Sequence, residues 1–525
     1  MANSRIRTQD QILVDTLHQS PVDAQQGRFR RWVFWAVVLI IVLLLLQCGL
    51  RRVFADRPVD YSAIEQHFKY GSIGSELGGT IFTPVGGMLP PYWLFRVLPD
   101  ICPDKLPGGY AAVGLLFEAG HDLPIGVSRR RRLGVEQVGL NCAVCHVGTY
   151  RTSPQDEPHI VLGMPAHGLD LQRFFAFILS CVQDARFTAD NVIAQVQRSG
   201  GKLGLVQRLF YRWLLVPRVR QATQAQQQDI GLLLGQSVPA WGRGRVDTFN
   251  PYKVLQFRWP LEKLPRSELI GASDFPSLWN QEPRARAKMH LHWDGNNDSV
   301  DERNLSAALG AGVTPVTIDH ARLQRIREWI WTLPPPPYPE AFPIDTALAA
   351  RGEQLYAHHC VACHADHRFR DGVIIGAEVG QVVPITTIKT DPYRFTSYTY
   401  TFAANQYTLY PDSRYHFAHF RKTTGYANHP LDGIWARAPY LHNGSLPTLR
   451  DLLEPPEKRP QVFYRGYDVF DPVKVGFIAD PPAALRDTLF KFDTRIPGNE
   501  NGGHLYGTML SPEDKAALVE YMKRL

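Results

Sequence analysis

The most apolar run of the chain is WVFWAVVLIIVLLLL, residues 32–46, with no charge and no proline. Carried on to residue 50, it is long enough to cross a hydrocarbon core of about 30 Å as one helix. Roughly thirty mostly polar residues precede it and no small-x-small cleavage site follows, so the run reads as an uncleaved anchor. Arg28, Arg30 and Arg31 flank one side and Arg51 and Arg52 the other. Arg5 and Arg7 tip the count toward a cytoplasmic N-terminus. The expectation is a single pass through the inner membrane with the body in the periplasm.

Beyond the anchor the pattern changes several times. Residues 58–135 are rich in Gly and Pro (SIGSELGG, TPVGGMLPPYW) and predict a loop-rich wrapping segment. From residue 168 helical spacing takes over in LDLQRFFAFILSCVQ and DNVIAQVQ, then over 203–234 with a break at Pro217. In IDHARLQRIREWIWTL, Leu323, Ile326, Trp329, Ile330 and Leu333 share one helix face. The prolines of PPPPYP, residues 334–339, cannot continue that helix and mark a boundary. Two more helices follow, TALAARGEQLYAHHC and SPEDKAALVEYMKRL, the second with Ser511 as N-cap and Pro512 in its first turn. Strand signals are few and short. The chain therefore reads as mainly α with long loops: a tail over 1–31, an anchor over 32–50, one domain over 51–333, a Pro-rich linker over 334–342 and a second domain over 343–525.

Two copies of one motif carry the chemistry: Cys142-Ala143-Val144-Cys145-His146 and Cys360-Val361-Ala362-Cys363-His364. Two thiols one helical turn apart can add to both vinyl groups of one porphyrin, and the next residue then offers an imidazole to the iron. A zinc clip would draw two thiols from each motif but leaves both histidines unexplained. A thiol–disulfide switch would want one motif in a βαβ setting. Two covalent c-type haems, one per domain, are the reading. It places Cys142, Cys145, His146, Cys360, Cys363 and His364 at cofactors, with His146 and His364 on iron.

The sixth iron position decides between electron transfer and catalysis. His358, His359 and His367 crowd the second motif too closely to reach the far face of its haem. His504, framed by glycines in GNENGGHLYGT, is the favoured distant ligand there, with His442 in APYLHNGS as the alternative. Near the first motif the candidates are Met164, His167, His290 and His292. Of these, His292 stands beside Trp293 and the turn-forming DGNN, where an imidazole can serve as acid and base.

Composition adds limits. The net charge of +7 is mild, and no basic stripe interleaved with aromatics points to nucleic acid. The arginine run at 129–132 reads as a solvated loop, with contact to haem propionates or an acidic donor as the other reading. Outside the motifs and Cys48, the remaining pair Cys102 and Cys181 is open to bridging or to two buried thiols.

The paired motifs, LWNQEPRARAKMHLHWDGNNDSVDERN (278–304), WARAPYLHNGSLPTLRDLL (435–453), YRGYDVFDPVKVGF and GHLYGT together resemble the rubber oxygenase branch of the dihaem cytochrome c peroxidases over residues 60–525. The resemblance implies two cytochrome-c-like domains, an open N-terminal haem on His146 and a C-terminal haem held by His364 and His504. It implies cleavage of polyisoprene with dioxygen or, in the wider circle, peroxide reduction or oxidation of a partner protein. The anchor and a polar His292, with small Ala307 and Ala308 nearby, turn the expectation toward peroxide or dioxygen. An electron-donor protein or a small-molecule oxidant would be the partner, and a pure electron-transfer cytochrome is the competing function.

Overall fold

The structure is a computed structural model that describes residues 21–74, 91–132, 135–411 and 413–525. Residues 1–20, with Arg5 and Arg7, and the Gly/Pro stretch over 75–90 lie outside the described residues, so the tail and part of the wrapping segment do too. The chain forms two units. One holds residues up to 57 together with 131–135, and the other holds 58–130 and 136–525.

In the first unit, α1 (Pro21–Phe54) is one continuous helix. Its stretch Arg28–Arg51, of 24 residues, has a mean hydropathy of 2.8 and no burial. An exposed helix that is apolar all round is by length and composition able to cross a membrane.

The second unit begins with α2 (Ile64–Tyr70) and α3 (Tyr92–Ile101), so the segment expected to wrap as loop carries helices. The residue pattern hid them because both are short and α3 contains Pro99. The arginine run is also no loop. It lies on the strand Val127–Arg132, where Arg130 is buried on Asp319 and Arg129 pairs with Glu136. The first motif forms α4 (Ala143–His146), pinned by the ribbon of β1 (Val147–Tyr150) and β2 (His159–Leu162). Next come α5 (Leu171–Val182), α6 (Ala189–Arg198), α7 (Leu205–Phe210) and α8 (Val216–Leu234). Pro217 does not break this last stretch as expected. A π-turn over Tyr211–Leu215 joins α7 to α8, shifting the hydrogen-bond register just ahead of a residue that has no N–H to give.

A second ribbon, β3 (Arg245–Asp247) with β4 (Ala272–Asp274), leads into α9 (Val300–Gly310) and α10 (His320–Trp331). Leu323, Ile326 and Ile330 of α10 are buried as the spacing predicts. The proline run then connects α10 to α11 (Thr346–His359), and the second motif forms α12 (Val361–His364). Two further ribbons, β5 (Val382–Pro384) with β6 (Gly425–Ala427) and β7 (Val462–Arg465) with β8 (Phe490–Asp493), precede α13 (Pro512–Met522). The cap of α13 is as expected, with Ser511 Oγ accepting from Asp514 N at 3.1 Å. Among the described residues helix makes up 44% and strand 12%, so helix leads but loops and small ribbons carry much of the fold.

Cys102, just past α3, is bridged to Cys181 in α5. The bridge sits in the core of α3, α5, α6 and α8, around Phe95, Phe174 and Val192. A separate core near the C-terminus packs α11 on α13, where Tyr356 meets Tyr521 at 5.2 Å between ring centres. That approach needs a glycine, since a Cβ at Gly352 would run into the Ala517 carbonyl. Gly352→Val should therefore cost about 1–3 kcal/mol, as overpacking does. Urea unfolding followed by far-UV circular dichroism checks it, and an unchanged midpoint would mean the two helices have room to part.

Candidate functional site

The first motif is held from both sides. Asn141 Oδ1 accepts from Ala143 N at 3.0 Å, while Asn141 Nδ2 donates to the carbonyls of Lys69 and Gly71 at 3.2 and 3.0 Å. Gly126, at φ +86, lies where any side chain would collide with Val144, so the motif turn presses directly on backbone. His146 donates from Nδ1 to the Pro276 carbonyl at 2.8 Å. A carbonyl can only accept, which fixes the tautomer and leaves Nε2 as a lone-pair donor. Burial pushes the His146 imidazole down to about 4, so it stays neutral.

Cys142, Cys145 and His146 open on a cavity of about 320 Å³ whose wall also includes His292, Trp293 and Asn296. Most of the wall is apolar, with Phe175, Phe249, Leu291 and Phe420 among it, and that suits a porphyrin face. The polar His292 thus stands in a largely apolar wall. His292 has a left-handed backbone, φ 60, and donates from Nδ1 to Asn296 Oδ1 at 2.6 Å. Asn296 in turn donates to Asp294 Oδ2 at 2.9 Å. Burial first, eased by the Asn296 bond, holds His292 near 3. Trp293 donates from Nε1 to the Asp274 carbonyl at 2.8 Å. Arg303 also lines the cavity, bonded to its neighbour Asn304 and with no carboxylate partner among the described residues.

The second motif repeats the restraint. His364 donates from Nδ1 to the His429 carbonyl at 2.8 Å. Its ring lies 6.1 Å, centre to centre, from that of His504. A metal–imidazole bond of about 2 Å on each side puts two ring centres about 6 Å apart, so the pair is spaced to hold one metal atom. His504 adopts φ 46 and donates its amide to the Ile388 carbonyl at 3.0 Å. Gly503 beside it, at φ +70, admits that loop against the Ile388 and Lys389 backbone.

Other candidates go elsewhere. His442 is buried and stacked on Tyr426 at 4.0 Å, with Nε2 unpartnered and its titration pushed well down by burial. Met164 packs in the C-terminal core. His167 donates to the Thr149 carbonyl at 2.6 Å and stacks on Phe477, and His290 bonds the Gly295 carbonyl at 3.1 Å. Two contributors escaped the sequence reading, Arg303 and His429, while the DGNN turn named there supplies Asn296 as the partner of His292. His429 Nε2 donates to the His292 carbonyl at 3.0 Å, and its ring meets the Trp293 edge at 6.0 Å. No local motif marks YANHPLDG, so only long-range packing discloses this link between the two motif regions.

The competing motif chemistries fit poorly. Burial pushes the four motif thiols up, Cys142 and Cys363 to about 11 and Cys145 and Cys360 to about 12. A redox-active CxxC needs the opposite shift. Among the described residues no three His, Cys, Asp or Glu side chains converge as a metal set, whereas tetrahedral zinc needs four.

Burial of neutral histidines also sets an acid limit. His292 and His429, both near 3 when folded, take a proton near ~6.5 when unfolded. The unfolded state binds more protons between those values. Stability is thus complete above pH ~6.5 and falls as pH drops toward 3, by up to about 1.4 kcal/mol per pH unit for each group. Urea midpoints at pH ~7 and ~5 should show the fall, and H429Q should make it shallower.

Comparison with known proteins bears on the C-terminal part. Residues 425–464, which include β6, His429, His442 and part of β7, match the family described as RoxA-like, cytochrome c-like. A cytochrome c-like domain implies a c-type haem with its iron and an extracytoplasmic setting. Two proteins of Sinorhizobium fredii (strain NBRC 101917 / NGR234) are similar. "Uncharacterized protein y4iM" is 34% identical over 256 residues, 44% of this chain and 56% of its own length. "Uncharacterized protein y4iJ" is 26% identical over 511 residues, 80% of this chain and 82% of its own length. The chain thus spans little more than half of the first relative.

Proposed function

We propose that the chain is a membrane-anchored dihaem c-type cytochrome that acts as a redox enzyme on peroxide or dioxygen, as a member of the dihaem peroxidase and rubber oxygenase circle. In this reading residues 51–333 and 343–525 are its two haem domains in the periplasm. One observation carries the proposal. Two CxxCH turns each present a histidine held through Nδ1 by a backbone carbonyl at 2.8 Å, and the second faces a further imidazole at a partner's distance while the first opens on a cavity.

A c-type haem, when bound, supplies an iron that changes oxidation state and reacts with peroxide or dioxygen where a position is open. Cys142 and Cys145 would hold one haem and Cys360 and Cys363 the other. His146 and His364 would be the proximal ligands, and His504 would close the second site. That closed pair suits storage and relay of an electron. His429 and Trp293 lie between the two regions in direct contact, which supports passage from one to the other.

The enclosed first cavity suits chemistry. His292 keeps Nδ1 on Asn296, so its other nitrogen is a proton acceptor, and the neutral state that burial enforces leaves it free to take a proton from peroxide. A second reading, a pure electron carrier, draws on the same ring, because a neutral His292 on the cavity of His146 is also suited to ligate metal.

Mass spectrometry of the mature protein should show two haem additions; one addition, or zinc, would end the dihaem reading. His504→Gly should convert one low-spin signal to high-spin with both haems retained, and no spectral change would remove His504 from the iron. For the first site, His292→Ala should slow the peroxide reaction by about 10²–10⁴-fold with an unchanged resting spectrum. A new high-spin signal instead would establish the carrier, and no change in either would leave His292 as a turn residue.

A further inference from the structure

One face of the α7–π-turn–α8 rod carries four large apolar side chains into solvent. Leu205, Val206, Leu209 and Trp213 are 75, 79, 47 and 75% exposed. Leu205, Leu209 and Trp213 follow each other at intervals of four, so they form one apolar stripe along the helix. The opposite side is anchored, since Tyr211, Leu215 and Val216 are buried in the core with Phe187 and Val196. The stripe is therefore a rigid ridge held out from a packed helix.

Along the ridge's own stretch of chain the charges share one sign, and Asp190 reaches Arg212 from just outside it. Between residues 191 and 228 stand Arg198, Lys202, Arg208, Arg212, Arg218 and Arg220, with no Asp or Glu among them. Arg212 pairs with Asp190, but Arg208 spends its Nε on the Leu203 carbonyl, and Lys202 and Arg218 are exposed. Large apolar side chains with a tryptophan, bordered by cations, are the composition of a helix that lies in a lipid headgroup layer.

We propose that this ridge seats on the surface of an anionic bilayer, with Leu205, Val206, Leu209 and Trp213 entering the headgroup–acyl boundary and the flanking cations meeting lipid phosphates. The proposal rests on the reading of α1 as an anchor, which supplies the membrane. The second unit starts at residue 58, six residues beyond Arg51–Arg52, and a tether of that length reaches at most about 20 Å. A body so tethered spends its life beside lipid. At that range a solvent-exposed apolar ridge with complementary charge has an anionic surface as its nearest apolar neighbour. A second contact of this kind would fix how the body stands on the membrane.

The test uses the full-length haem-loaded chain in vesicles of phosphatidylcholine and phosphatidylglycerol that carry a photoactivatable diazirine phospholipid. After illumination, peptide mapping should find lipid adducts over 205–213 as well as over 28–51. The double variant L209E/W213E changes only exposed positions, so its haem spectrum should match the parent. It should lose the 205–213 adducts while keeping those at 28–51. Vesicles of phosphatidylcholine alone should lower the 205–213 signal several-fold. Absence of adducts at 205–213 in the parent overturns the proposal whether or not 28–51 is labelled. Crosslinks from 205–213 to another copy of the chain would likewise overturn it and assign the ridge to self-association. Absence at 28–51 is a separate result that removes the anchor reading.

Discussion

His429 ties together three segments that lie far apart in the chain. Its carbonyl accepts the His364 Nδ1 proton, and its side chain donates to the His292 carbonyl. The strand just before it continues the weave. Ala427 N donates to the Trp293 carbonyl at 2.9 Å, Asn428 N to the Gln381 carbonyl at 2.8 Å, and Gly380 N to the Asn428 carbonyl at 2.8 Å. A neutral imidazole taken out of water must place its N–H on an acceptor to avoid a penalty of a few kcal/mol. That requirement sets the orientation of the His364 ring, the path of the His292 loop and the register of β6 at the same time. Displacing any one of the three segments leaves the others with unpaired polar groups.

The same segment is secured by charge a few residues on. Asp432 lies between Arg284 at 2.5 Å and Arg437 at 2.7 Å, with Asp432 and Arg284 buried and Arg437 partly so. Burial alone would raise this carboxyl, but the two guanidinium groups outweigh it and keep it ionised. Arg284 also donates to the Trp279 and Asn280 carbonyls at 2.8 and 2.7 Å. One ion network therefore joins the loop ahead of the His292 segment to the loop after His429. Removing one partner of such a buried set costs about 3–5 kcal/mol because the remaining charge has no solvent to turn to.

What could be read from the sequence follows from how local each feature is. The CxxCH turns and the cap of α13 are set within a few residues, so pattern alone locates them. The buried face of α10 is nearly as local, because one helical repeat predicts it. His504 stood out through its glycines, since a φ of 46 in a tight loop leaves that trace in composition. Pro217 misled because the usual rule covers α-helical registers, and the π-turn ahead of it changes the register. The arginines at 129–132 misled because the partner that buries Arg130, Asp319, is distant in sequence. Arg303 and His429 left no sign at all. Their importance comes from where long loops cross, and such crossings have no periodicity.

The two motif turns are alike in what the local sequence dictates and unlike in what distant chain brings to them. Each turn places a thiol pair and a histidine, and each histidine is restrained by a carbonyl from another loop at the same distance. Those shared features govern attachment and tautomer. The difference lies across the ring. Opposite His364, the last loop of the chain delivers His504 on a backbone that glycine makes possible. Around His146, helices and ribbons leave a cavity and line it with phenylalanines, with Trp241 and Trp293, and with the imidazoles of His292 and His429. Haem chemistry depends on that far side. In the proposed enzyme, then, the repeated motif would fix where the cofactors are bound, and the non-repeated loops would decide which of them meets a substrate.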